Sequence, residues 1–107
     1  MPVDGESKAR YFYGDLLGMI EVPKPPMLAA RGGVWFESAS VQLHLGVDRD
    51  FQAARKAHPA LRCRDFEGLT KKLRLAGIEL VNDGSIPGVV RCHVHDPFGN
   101  RIELLAE

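Results

Sequence analysis

Residues 96–104 read Asp96-Pro97-Phe98-Gly99-Asn100-Arg101-Ile102-Glu103-Leu104. The first five are turn formers and the rest begin a strand of alternating character. The end of this stretch has an echo upstream. Ile102-Glu103-Leu104 matches Leu43-His44-Leu45 at a distance of 59 residues, and Gly77-Ile78-Glu79-Leu80-Val81 matches Gly18-Met19-Ile20-Glu21-Val22 at the same distance of 59. A repeated supersecondary unit implies two copies that pack to complete a core.

Working outward gives each copy its elements. Ala9, Phe12 and Leu16 fall at helical spacing, so a helix is expected over residues 6–17 with Gly18 at its cap. Pro23, Pro25 and Pro26 make 23–32 a loop. Val34-Trp35-Phe36 is a short strand. Val41 to Leu45 is a period-two strand with Gln42 and His44 opposite its apolar side. Residues 46–57 form a connector, with a helical turn expected around 50–56.

The second copy opens with a strand from His58 to Arg64. Asp65 is an N-cap for a helix carrying Phe66, Leu69, Leu73 and Ala76 and ending at Gly77. Strands follow at 78–81, 89–95 and 101–105. The order is strand, helix, strand, strand, strand. The first copy has the same order without the opening strand, whose counterpart of His58 falls at or before residue 1. The expectation is therefore a chain that starts late, or a first module without a full first strand. The fold class is α+β: two βαβββ modules forming a curled mixed sheet around a cleft, in one domain (module one 1–47, connector 48–57, module two 58–107).

Composition narrows the function classes. The chain has 107 residues, 14 Lys plus Arg, 14 Asp plus Glu, and no net charge. Nucleic-acid and polybasic membrane binders carry a positive surplus, so neither partner is expected. No apolar run reaches the ~18 residues of a membrane span, and MPVDGESKAR lacks the pattern of a secretory signal. Cys63 and Cys92 read as buried reduced thiols, and a cytoplasmic location is the default.

The informative residues are polar ones on otherwise alternating strands. His44, His58 and Glu103 each lie opposite an apolar stripe. Two imidazoles and a carboxylate make a facial set for Fe, Ni, Zn, Co or Mn as divalent ions. The plain alternative is a polar sheet face with no ligand. Gln42 shares the face of His44 and is the alternative ligand or a substrate contact. Arg91 and His93 face the same cavity, with His93 a candidate general acid or base. Trp35, Phe36 and Phe98 are expected to wall the substrate pocket. There is no phosphate-cradling glycine loop and no nucleophile elbow.

Tyr11-Phe12-Tyr13-Gly14-Asp15-Leu16-Leu17-Gly18 resembles the FYxxxLG helix of the vicinal oxygen chelate superfamily, the glyoxalase, bleomycin-resistance and dioxygenase group. Asp96 to Leu104 resembles its DPxGNxxEL ending, and His58-Pro59-Ala60-Leu61 the start of its second module. The resemblance covers nearly the whole chain. It implies a homodimer, and metal ligands on the first and last strands of each module: His58, Glu103 and His44, with Gln42 as the alternative to His44. The first-strand ligand of module one has no counterpart. The activity implied is a metal-dependent glyoxalase-like reaction on a small molecule bound through vicinal oxygens, with Glu103 moving the proton. Isomerase, lyase, epimerase, thiol-transferase and dioxygenase chemistries all use such a site, so the fold does not choose among them. The alternatives are a metal-free binding protein of the bleomycin-resistance kind and a module kept for interaction alone.

Overall fold

The computed structural model describes all 107 residues. The chain divides into two compact units, Met1–Gln52 and Ala53–Glu107, with the division inside the connector.

In the first unit, helix α1 (Glu6–Ala9) runs directly into a π-helical segment, Arg10–Leu16. Leu17 N–H donates to the Phe12 carbonyl at 2.9 Å, a five-residue step in place of the usual four. Ala9, Phe12, Tyr13 and Leu16 are all buried, a stripe wider than the spacing of Ala9, Phe12 and Leu16 alone implies. Gly18, at φ +76°, ends the segment. The loop expectation for 23–32 is corrected. Pro26–Ala29 forms one helical turn, α2, because proline at the first helical position lacks only an N–H that would have gone unbonded.

Strands β1 (Ile20–Val22), β2 (Val34–Ser38) and β3 (Val41–Leu45) form an antiparallel sheet in that order. Val34 and Phe36 are buried, and the Phe36 ring lies 5.6 Å from that of Tyr13. Phe36 thus belongs to the core and not to a pocket wall, since Trp35 points to the other side of the pleat. Gly33 is required where the chain enters β2. Its φ is +87°, and a Cβ there would sit 2.3 Å from the Leu45 carbonyl oxygen.

No strand precedes α1, as expected for module one. One residue does pair. Met1 N donates to the Gly46 carbonyl at 2.8 Å, and Asp48 N–H donates to the Met1 carbonyl at 2.9 Å. Bonds on either side of one facing residue are the parallel-ladder pattern.

The second unit is a complete βαβββ module: β4 (Ala60–Cys63), α3 (Phe66–Leu75), β5 (Val81–Asn82), β6 (Arg91–His95) and β7 (Arg101–Ala106). The sheet order is β4-β7-β6-β5, with β4 parallel to β7 and the other pairs antiparallel. Asp65 caps α3 by accepting the Gly68 N–H at 3.0 Å. Gly77, at φ +81°, follows its end. Leu73, Cys92, Val94, Ile102 and Leu104 form the core where α3 packs on β7. Ala76, expected on the packed stripe, is exposed at the helix end. The helical turn expected around 50–56 is absent; that stretch holds only turns and bends.

The turn quoted at the outset sets the register of β6 and β7. Asp96, 5% exposed, accepts from the N–H groups of Phe98 (2.9 Å) and Asn100 (2.8 Å) and from Asn100 Nδ2 (2.8 Å). Gly99, at φ +87°, supplies the left-handed residue that brings the chain back. The hairpin then places His93 opposite Glu103 and Arg91 opposite Leu105.

Candidate metal centre

On the face of the second sheet away from α3, three strands bring their polar residues together. His58 stands just ahead of β4, His93 is on β6, and Glu103 is on β7 between them. His93 and Glu103 are buried and His58 is half-buried. His58 Nε2 is 3.1 Å from Glu103 Oε2, and His93 Nε2 is 3.9 Å from the same oxygen. One ligand atom from each residue lies within 4.8 Å of the other two. The two imidazole rings meet edge to face at 5.3 Å.

The hydrogen bonds assign the lone pairs. His58 Nδ1 is 2.6 Å from the Lys56 carbonyl oxygen. A carbonyl only accepts, so Nδ1 carries the proton and a neutral ring presents a lone pair at Nε2. His93 Nε2 is 3.3 Å from Arg101 Nη2. A guanidinium only donates, so this nitrogen also carries a lone pair. Glu103 Oε1 accepts from Arg91 Nη1 at 2.7 Å, which leaves Oε2 toward the histidines. Three electron-pair donors therefore converge. Either a proton on His58 Nε2 or a cation between the donors relieves their mutual repulsion. Donor atoms on one first-row ion stand about 3.0–3.5 Å apart, given bond lengths near 2.1 Å. The His58–Glu103 spacing of 3.1 Å falls in that range, the His93–Glu103 spacing of 3.9 Å is wider, and the imidazole and carboxylate set suits a divalent transition metal. The residues present fit the group.

Charge reinforces the arrangement. The Arg91 hydrogen bond, and then the one from His58, hold the Glu103 carboxyl below its ordinary range, so it is an anion. Burial, and next the charge of Arg101, push His93 below its ordinary value, which favours the neutral form a metal needs. Arg91 also donates from Nη2 to Asp83 Oδ2 (2.7 Å) and Ser85 Oγ (2.9 Å), so the guanidinium that orients Glu103 is itself fixed. Its Nε is buried without a partner. Cys63 and Cys92 are free thiols raised by burial, away from thiolate chemistry.

Of the residues expected at the site, His58, Glu103, His93 and Arg91 come together in the second unit. His44 lies on β3 in the first unit, exposed and stacked on Trp35 at 3.7 Å with the rings 3° from parallel. Gln42, on the same strand face, is exposed. Phe98 is half-buried in the Asp96 turn. From sequence alone His93 is marked only as an acid or base, and Arg101 is not marked at all. The available signal for Arg101 is its spacing, since Arg101 and Glu103 stand two apart on one strand and so share a face.

A helix packed on one side of a mixed sheet of this order is a fold shared with glyoxalase/bleomycin-resistance/dioxygenase proteins. The crystal structure of a protein assigned to the glyoxalase family from Bacillus anthracis superposes with a TM-score of 0.96. It is 43% identical over all of this chain and 88% of that one. The chain belongs to this superfamily. A glyoxalase/dioxygenase from Nostoc punctiforme has the same fold (TM-score 0.79, 20% identity, all of this chain and 86% of that one). So has the fosfomycin resistance protein FosX from Listeria monocytogenes (TM-score 0.78, 15% identity, all of this chain and 88% of that one). No protein-family profile matches the sequence, and no curated protein matches it significantly. No helix is long and apolar enough to cross a membrane.

Proposed function

We propose that the protein is a metal-dependent glyoxalase-like enzyme that binds a small substrate through vicinal oxygens. The observation that carries this reading is the convergence of His58 Nε2, His93 Nε2 and Glu103 Oε2. A divalent ion held there would act as a Lewis acid on two adjacent substrate oxygens and favour the anion that forms when a neighbouring proton leaves. The chain's own residues do the rest. The Lys56 carbonyl fixes the His58 tautomer. Arg91 positions Glu103 and keeps it anionic, so Glu103 is the base for the substrate proton. His93, buried and held below its ordinary value, presents its one lone pair at Nε2 to the ion, so its part in this arrangement is that of a ligand.

The test is metal content. Protein stripped with a chelator and reloaded should retain one equivalent of a divalent transition ion per chain. His58→Ala, His93→Ala and Glu103→Gln should each weaken retention by at least about tenfold, as loss of a ligand costs more than loss of an outer partner. Retention unchanged in His58→Ala would sink the reading. His44→Ala reports whether the first unit contributes a ligand as well; unchanged content leaves the three residues of the second unit to hold the ion.

A second reading also has an observation behind it. With a proton on His58 Nε2 donated to Glu103 Oε2, the partners Arg91, Arg101 and the Lys56 carbonyl satisfy the rest of the cluster without an ion. A metal-free protein of the bleomycin-resistance type would use the same face to sequester a small molecule, and it would take up no metal in the same experiment.

A further inference from the structure

Arg101 is the one charged group at the centre that the metal reading does not use. It sits on β7 two residues before Glu103 and so projects from the same face of the sheet. Its guanidinium meets the His93 imidazole, with Nη2 3.3 Å from Nε2. No carboxylate pairs with it. Both oxygens of Glu103 are taken by Arg91 and His58, and Asp83 Oδ2 is taken by Arg91. A half-buried cation is thus partnered by a neutral nitrogen, at the long end of hydrogen-bond distance. That contact also uses the lone pair a metal would need. One nitrogen lone pair serves either the guanidinium or an ion.

We propose that Arg101 is the specificity-determining residue of this centre: loading the metal displaces it from His93, and the freed guanidinium then binds an oxyanion group of the substrate. The substrate class is a small molecule that carries a carboxylate, phosphonate or phosphate beside its two chelating oxygens. The inference rests on the metal reading above. Charge supports the class. Ligation of an ion requires neutral imidazoles, and Glu103 and Asp83 offset Arg91 and Arg101, so a divalent ion leaves the loaded centre with a surplus of two positive charges. The planar fork of a guanidinium matches an oxyanion with two parallel hydrogen bonds, which lysine cannot reproduce.

The experiment uses the metal-loaded full chain and two probes of one chelating head. Acetohydroxamate brings two oxygens and no further charge. The monohydroxamate of malonic acid brings the same two oxygens and a carboxylate. Calorimetric titration of the wild type should show the acidic probe binding about tenfold more tightly, the factor expected for one charge-assisted pair. Arg101→Ala should lose that preference while keeping its affinity for acetohydroxamate, and Arg101→Lys should keep part of it. Titrated with Ni(II) alone, Arg101→Ala should bind at least as tightly as the wild type, because the competitor for His93 Nε2 is gone. A preference that survives in Arg101→Ala, or a Ni(II) affinity that falls in it, overturns the proposal and leaves the metal site standing. Failure of the wild type to bind Ni(II) at all overturns the metal reading, and the proposal falls with it.

Discussion

Replacing Asp96 by alanine should cost more stability than its place in a surface turn suggests. Its carboxylate accepts three hydrogen bonds, from the N–H groups of Phe98 and Asn100 and from the Asn100 amide. Hydrogen bonds to a charged group contribute about 1.5–3 kcal/mol each, and the donors left behind lie in a turn where water reaches only some of them. With half of the gross sum recovered by solvation, the net loss is about 3 kcal/mol. A chain of this size has a urea m-value of ~1.5 kcal/mol/M, so the midpoint should fall by about 2 M, followed by circular dichroism. Asp96→Asn should fall between. Its oxygen still serves the two N–H groups, while its amide meets the Asn100 amide donor to donor. The turn also sets Glu103 opposite His93, so Asp96→Ala should weaken metal retention, although it touches no ligand. A midpoint shift below about 0.5 M would refute the claim that this carboxylate organises the turn.

Acid should destabilise the protein in two windows. His93 titrates below its ordinary value of 6.5 in the fold, so its contribution is whole above about 6.5 and is lost as pH falls toward the folded value. Glu103 titrates below its ordinary 4.5, so its contribution is whole above about 4.5 and is lost at lower pH. Urea midpoints measured against pH should show both losses, with His93→Asn removing the upper one and Glu103→Gln the lower. Gly33→Ala should cost at least about 2 kcal/mol, because a positive φ is joined by a backbone clash. Gly18→Ala, with the same sign of φ and open space, should cost about 1 kcal/mol. Equal midpoints for the two variants would show that the clash relaxes freely. Sedimentation velocity on the wild type should give a dimer, the assembly implied by the family resemblance; a monomer at micromolar concentration would remove that expectation.

Elements with a local chemical cause were readable in the sequence. Asp65 caps a helix and Gly77 ends it because those residues do so in any fold, and the alternation of Arg91 and His93 gave the face of β6 without coordinates. The misreadings have physical causes too. Pro26 forbids a helix interior but suits a helix start, and only the backbone shows which position it holds. The π register at Arg10–Leu16 leaves no mark that separates it from an α-helix, since Ala9, Phe12 and Leu16 fit either. The site was half legible. His58 and Glu103 could be paired from the family motif, while the repeat matched Glu103 with His44. That His93 completes the set depends on a hairpin register fixed by the Asp96 turn. That Arg101 occupies His93 depends on side-chain reach, on which periodicity is silent.

The repeat gives the Trp35–His44 stack a further meaning. Trp35 faces His44 across β2 and β3 as His93 faces Glu103 across β6 and β7, and His44 and Glu103 are the two residues 59 apart. The two copies therefore share one architectural address but furnish it differently, with a ring stack in one and a proton-bearing, ion-competent pair in the other. One copy is free to change the breadth and polarity of its aromatic surface while the other keeps its donor set intact. Substitutions at Trp35 and at His93 should accordingly act on separable properties, the first on the ring stack of its own sheet and the second on the donor cluster of the other.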